Sequence, residues 1–175
     1  MIKAPTYKNC SANEISRILE IYRQSYLEHY TYLWSDESKN YIKTSFTEGK
    51  LLAEMNVHKS AFYLISYNNF PVGVLKINTN KSIDGSKDVD YLEIERIYFL
   101  RAATGKGLGK STLKMVKQLA IDGNKKIIWL KAMKGADAVK FYEKQGFMVT
   151  GETDLSYPFI IDEFKRMVVM QLYIR

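Results

Sequence analysis

Thr104-Gly105-Lys106-Gly107-Leu108-Gly109-Lys110-Ser111 lies between two stretches of different period. Before it, Val89 to Phe99 alternates as a strand does, with Leu92, Ile94 and Arg96 on one face and Glu93, Glu95 and Ile97 on the other. After it, Leu108, Thr112, Met115 and Leu119 recur at helical spacing until Gly123-Asn124 supplies a stop. A glycine-rich turn leading from a strand into a helix is a place to hold an anion. Alternate glycines let the backbone approach a bulky group and turn its N–H groups inward. The helix start adds about half a positive charge, and Lys106 and Lys110 add full ones, beside Lys114 and Lys117. The spacing excludes two common nucleotide loops. Gly105 to Lys110-Ser111 is one residue short of a Walker A loop, and the glycines lack the G-x-G-x-x-G spacing of a dinucleotide fold. Taken alone, the stretch is also compatible with a plain flexible strand-to-helix turn.

Downstream, Ile127 to Met133 reads as a strand and Ala136 to Gln145 as a helix stopped by Gly146. Phe147 to Thr150 and Met167 to Ile174 read as strands, joined by a loop from Gly151 to Lys165 that holds Tyr157, Pro158 and Phe159. Upstream, Ser11-Ala12-Asn13-Glu14 is a capping box, and Ile15, Ile18, Leu19, Tyr22 and Tyr26 follow at helical spacing. This predicts a helix from about Ala12 to Glu28. An aromatic patch, Tyr30, Tyr32 and Trp34, comes next. Ser35-Asp36-Glu37 starts a second helix, and a third covers about Glu48 to Asn56. Ala61 to Tyr67 and Pro71 to Asn78 form a hairpin about Asn68-Asn69, and Asn80 to Lys87 is a polar loop. The sum is a mixed α/β (α+β) domain, an antiparallel half followed by a strand–loop–helix–strand unit. Its ligand belongs where the glycine loop meets the helix.

The 175 residues suit a single domain spanning 1–175. Hydrophobic residues at 46% are enough for a sizeable core, and too many for a disordered chain. One cysteine, Cys10, excludes an internal disulfide framework and fits a reducing, cytoplasmic setting. With only two histidines beside it, the composition argues against a zinc site, and no metal is expected. Met1 to Cys10 lacks the apolar region of a signal peptide, and no run approaches a membrane span, so no membrane association is expected. The formal charge of +7 suits an anionic cofactor, a nucleic acid or a scattered solvated surface. No nucleic-acid recognition motif accompanies it, so none is expected as a partner.

Ala138-Val139-Lys140-Phe141-Tyr142-Glu143-Lys144-Gln145-Gly146-Phe147 is, alone, a helix C-cap with core aromatics. Paired with the glycine loop upstream, it resembles motif B of the GNAT superfamily, as Thr104 to Gly109 resembles motif A. The family's loop, Arg/Gln-x-x-Gly-x-Gly/Ala, is matched except that Thr104 stands first. The second motif, Asn-x-x-Ala-x-x-Phe-Tyr-x-x-x-Gly-Phe, is matched except that Gly135 stands first. Leu92 to Tyr98 and Asn124 to Leu130 resemble the PaiA-type branch, known for acetylating spermidine and spermine.

The resemblance implies the GNAT fold: a central mixed, mostly antiparallel twisted sheet flanked by helices and split between the fourth and fifth strands. It implies an acyl-CoA-dependent N-acetyltransferase moving acetyl from acetyl-CoA to a small primary amine, a polyamine foremost, by direct attack. Backbone groups of Ile97, Tyr98 and Phe99 would pair with the pantetheine arm. Gly105, Lys106, Gly107, Leu108, Gly109, Lys110 and Ser111 would take the pyrophosphate, with Phe141 and Lys144 near the cofactor. Tyr142 would be the general acid and Glu93 the general base, with Glu95 touching substrate, though the two glutamates' roles are interchangeable at this level. Tyr30, Tyr32, Trp34, Tyr157 and Phe159 are candidate acceptor walls, and Asp36, Glu37, Asp162 and Glu163 candidate contacts for an extended polyamine. Thr104 shifts pyrophosphate binding toward backbone amides and Lys106, and Gly135 forgoes the family's Asn contact to the pantetheine arm, so coenzyme A binding is expected to persist but to be weaker. A homodimer is compatible with all of this. The same chemistry on a protein or peptide amine, or a non-catalytic CoA-binding regulatory module, are the alternatives.

Overall fold

The computed structural model describes residues 4–174. Among them, one sheet holds seven strands: β1 (Thr6–Asn9), β2 (Ser60–Tyr67), β3 (Phe70–Thr79), β4 (Tyr91–Phe99), β5 (Ile127–Met133), β6 (Met148–Asp154) and β7 (Arg166–Tyr173). Five α-helices accompany it: α1 (Ile15–His29), α2 (Lys39–Ser45), α3 (Glu48–Met55), α4 (Leu108–Asp122) and α5 (Asp137–Lys144). The strand order is β1-β2-β3-β4-β5-β7-β6. Every neighbouring pair is antiparallel except β4 and β5, which run parallel. No helix among the described residues is long and apolar enough to cross a membrane.

Local chemistry explains the elements. The capping box at Ser11 and Glu14 is formed, and its first turn is 3-10 before α1 begins. Asn68 and Asn69 turn the β2–β3 hairpin with φ of 52° and 67°, the positive angles that a tight primed turn needs. The second helix starts later than its sequence suggests. Glu37 and Ser38 have positive φ, and Asp36 caps α2 from outside by accepting from the Asn40 amide at 2.7 Å. The short edge strand β1 has no sequence signal strong enough to read, and β6 runs to Asp154, past Thr150.

Two cores lie on opposite faces of the sheet. Leu113, Val116 and Ala120 of α4 and Tyr142 of α5 pack on Ile65, Leu75 and Ile77. Ile18, Tyr22 and Tyr26 of α1 and Leu51 of α3 pack on Phe62, Leu64 and Val74. The stripe of α4 is thus centred on Leu113 and Val116, with Met115 and Leu119 at its margin.

The strict alternation of β4 fails in the middle. Lys76 of β3 pairs with Arg96, but the next residue, Ile77, pairs with Ile94, leaving Glu95 as a bulge. An extra residue exchanges the two faces. Leu92 and Ile94 face α4 before the bulge, and Ile97 and Phe99 do so after it, while Tyr98 faces α1. Arg96 therefore leaves the face of Leu92 and Ile94 and reaches Glu54 of α3. Ile97 likewise parts from Glu93.

The sheet divides at this bulge. β4 pairs with β5 only from Tyr91 to Ile94, opposite Ile127 to Leu130. From there β4 stays with β3 as far as Phe99, and β5 stays with β7 as far as Met133. A bulge bends its strand and increases local twist, so the parallel pair opens into a V. The split expected between the fourth and fifth strands is present.

Candidate functional site

A cavity of about 430 Å3 lies in the V, within the size range of small-molecule sites, about 300–1,000 Å3. It is lined by Glu93 to Tyr98 on β4, by Leu130 to Met133 on β5, and by Tyr142 of α5. Tyr30, Tyr32, Trp34 and Tyr157 close it from the helical side. Of the sequence-derived candidates, it brings together Glu93, Glu95, Ile97, Tyr98, Tyr142, Tyr30, Tyr32, Trp34 and Tyr157. Phe99, the glycine loop, Phe141, Phe159 and Lys144 do not line it.

Beyond Ile94, the β5-facing side of β4 has no strand partner, so its backbone is free to pair with an extended ligand. At the open end of β4 the chain enters the glycine turn. Gly105 and Gly107 have φ of 73° and 74°, a region that costs other residues about 1–2 kcal/mol. Gly109 serves a different need. A Cβ there would stand 3.2 Å from the Phe141 ring, so its missing side chain lets α5 approach α4. The first bond of α4 runs from the Ser111 amide to the Gly107 carbonyl, and the amides of Gly105 to Lys110 meet no acceptor among the described residues. Unpaired amides at a helix start are the donors that an anion could use. Leu108 offers only its amide, because its side chain is core. Lys106 leans over the Tyr67 ring at 5.6 Å, and Lys117 caps α5 at the Gln145 carbonyl, 3.0 Å away. Lys144 is exposed on the last turn of α5.

The two replaced motif positions have visible reasons. The Thr104 hydroxyl donates to the Arg101 carbonyl at 2.8 Å, closing a 3-10 turn. Gly135 has φ of 81° in the turn before α5, where a side chain other than Asn or Asp is strained.

Glu93 and Glu95 share one partner. Nδ2 of Asn78 donates to both carboxylates at 2.6 Å. Glu93 also holds Nζ of Lys81 at 2.7 Å. Glu95 holds the buried Nζ of Lys76 at 2.7 Å, and Lys76 reaches Glu54 at 2.9 Å. Arg96 makes a bidentate pair with Glu54, at 2.6 and 3.0 Å. Burial opposes ionisation of Glu95, but the hydrogen bond from Lys76 and the nearby Arg96 outweigh it and hold the carboxyl below its usual range. Glu54 is held down in the same way, chiefly by Arg96 against its own burial.

Tyr142 is buried, with its ring against Phe141 and Phe147 at 5.2 and 5.5 Å. Burial pushes its phenol well above the ordinary range, with Tyr30 adding to the shift. The group is protonated at neutral pH and available as a donor. Cys10 takes no part. It donates to the Lys8 carbonyl, and burial pushes its thiol up to about 11.

The acceptor side is an aromatic box. Tyr41 stacks between Tyr26 and Trp34, with centroids at 4.8 and 4.7 Å. The Trp34 indole donates to the Tyr26 hydroxyl at 3.2 Å. Tyr157 sets its edge toward Trp34 and Tyr41. The late loop is stitched to the Trp34 segment by a bridge to Ile160 and by amide bonds from Ser35 and Ile161. Asp36, Glu37, Asp162 and Glu163 stand outside the lining. Asp36 caps α2, while Glu37 and Asp162 pair with Lys39 and Lys165.

Sequence reasoning missed Lys76, Asn78, Lys81, Tyr26 and Tyr41. Lys76 and Asn78 did leave a signal, as polar residues two apart within an apolar strand. Lys81 left none. Its place comes from the Trp129 indole, which donates to the Lys81 carbonyl at 2.7 Å and draws the loop over the base of the V.

Comparison with known proteins agrees with this architecture. The model of the acetyltransferase (GNAT) family matches residues 15–147. The N-acetyltransferase of the pepI 3' region of Lactobacillus delbrueckii subsp. lactis is 26% identical over 112 residues, which span 63% of this chain and 65% of that protein. The PaiA N-acetyltransferase of Thermoplasma acidophilum, solved in complex with coenzyme A, superposes with a TM-score of 0.76 at 17% identity, over 98% of this chain and 99% of that one. The YncA protein of Salmonella typhimurium, solved with its cofactor acetyl-CoA, gives 0.71 at 20% identity, over 99% and 95%. At these identities the likeness is one of fold.

Proposed function

The chain belongs to the acetyltransferase (GNAT) family, and from that membership we propose that it transfers an acetyl group from acetyl-CoA to a small primary amine. The observation that carries this reading is the cavity in the V, where Glu93 and Tyr142 line one space beside a free strand edge. The open end of that edge leads into a turn whose amides have no acceptor. Structural neighbours hold coenzyme A or acetyl-CoA, and the residues here suit the same ligand. The amides of Gly105 to Lys110 would take the diphosphate, and the β4 edge from Glu95 to Phe99 would pair with the pantetheine amides.

The chemistry follows from the side chains. An ammonium has no lone pair to attack with, so its proton goes first to Glu93, oriented by Asn78 and Lys81. The free amine adds to the thioester carbonyl, whose developing charge the β4 amide near Phe99 stabilises. The C–N bond forms, the C–S bond breaks, the Tyr142 hydroxyl gives its proton to the leaving thiolate, and the second proton shed by the new amide nitrogen restores the phenol. Such acid–base help is worth about 10²–10⁴-fold. Glu95, with both oxygens engaged by Lys76 and Asn78, positions rather than reacts. The resemblance of Leu92 to Tyr98 to the PaiA-type branch makes a polyamine the first acceptor to test within this class. The single, half-buried cysteine supports a reducing, cytoplasmic setting.

A thiol-release assay with acetyl-CoA and a panel of amines tests the reading. Release that depends on a primary amine is expected. A folded protein that binds no coenzyme A, or that binds it and acetylates neither small amines nor peptides, refutes it.

A further inference from the structure

We propose that the acceptor is a monoamine on a flat, apolar body rather than a polyamine, an inference that rests on the acetyltransferase reading above. Charge comes first. Two carboxylates, Glu93 and Glu95, line the cavity together with three cations, Lys81, Arg96 and Lys131. Both carboxylates already carry a cation: Lys81 on Glu93, and Lys76 with Arg96 on Glu95. The four acidic residues named for the far end of a polyamine lie outside the cavity lining, and three of them are engaged elsewhere. Asp36 caps a helix, and Glu37 and Asp162 hold lysines outside the cavity. One ammonium can displace the half-exposed Lys81 from Glu93. Second and third ammoniums meet surplus positive charge, and like charges at close range oppose binding.

Shape is the second argument. The faces of Tyr26, Tyr41 and Trp34 are largely covered by their own stack, so this stack offers little free ring face to a cation. Tyr157 differs. It meets Trp34 and Tyr41 with interplanar angles of 73° and 81°, and it is 44% exposed. Its ring is the free surface at the rim of the box. A planar ring stacked there would gain the offset or edge contact that aromatic pairs prefer. A saturated polycation would lose water from its charges without replacing it.

The test compares 2-phenylethylamine, n-propylamine and spermidine as acceptors by thiol release, with coenzyme A binding followed separately by calorimetry. The expected order of kcat/KM places 2-phenylethylamine above spermidine by about tenfold or more, a difference in scale with one displaced charge or one aromatic contact. Tyr157→Ala is expected to raise KM for 2-phenylethylamine about three- to tenfold more than it raises KM for n-propylamine. A folding defect would move all three amines together. Spermidine as the equal or better acceptor overturns the acceptor class and leaves the transferase standing. Coenzyme A binding with no transfer to any of the three overturns the acceptor class and leaves the transferase reading to the wider amine and peptide panel, whereas no binding at all fails both.

Discussion

The two sides of the proposed site are made of different material. The donor side, the β4 edge and the turn from Gly105 to Lys110, presents backbone. The acceptor side presents side chains gathered from α1, the turn after it, α2 and the loop near Tyr157. A backbone surface depends on conformation and tolerates change in side chains. Thr104 illustrates this, because its hydroxyl closes a local turn instead of reaching toward those amides. A side-chain surface has no such tolerance, since each ring and each charge is a particular residue. The difference explains how one fold keeps one donor while changing acceptors.

The largest expected effect lies where the two sides meet. Tyr142→Phe removes the proton donor and little else, so kcat should fall about 10²-fold or more, with coenzyme A affinity within about twofold by calorimetry. Equal turnover by the variant would remove Tyr142 from the chemistry. On the donor side, Gly107→Ala forces a Cβ into left-handed backbone at a cost of about 1–2 kcal/mol. Acetyl-CoA affinity should drop about tenfold if that cost falls on the bound turn, whereas Thr104→Ala should change it less than about twofold. If the two variants behaved alike, the backbone account of this side would be broken.

On the acceptor side, Lys81→Met takes one cation from the lining. The preference for 2-phenylethylamine over spermidine should narrow by about three- to tenfold, in line with one near-surface charge contact. An unchanged ratio would show that charge does not set the preference. The smallest effect is remote from the cavity. The ammonium of Lys8, followed by the Ser11 amide, holds the Glu14 carboxyl at about 2. Its folded value is below the ordinary carboxylate range of about 4.3. The stabilisation is therefore present above that range and is lost as pH falls from about 4.3 toward 2. Thermal melts of Glu14→Gln should show a flatter acid limb than wild type in that window.

Legibility in the sequence followed the same division. The donor side could be read because its signals are contiguous: a turn with glycine at 105, 107 and 109, and a helix from Ala136 to Gly146. Even there the second demand on Gly109, the close approach of the Phe141 ring, was not legible, since that residue is distant in the chain. The split was legible only by resemblance, because its physical cause, the bulge at Glu95, is hidden within an apparently regular alternation. The pairing of Lys81 with Glu93 and of Lys76 with Glu54 and Glu95 was not legible. Those partners come from two strands, a loop and a helix, and only the assembled sheet brings them together. The aromatic patch at Tyr30 to Trp34 was visible, and Tyr157 was joined to it only through the family resemblance, but no local pattern tied Tyr41 to it.

The most direct test follows backbone amide resonances of isotope-labelled protein during titration with coenzyme A. The largest shifts are expected at Gly105 to Ser111 and at Ile97 to Phe99, with Tyr26 and Tyr41 little affected. Shifts concentrated elsewhere on the folded domain, or none at saturating ligand, would contradict the account.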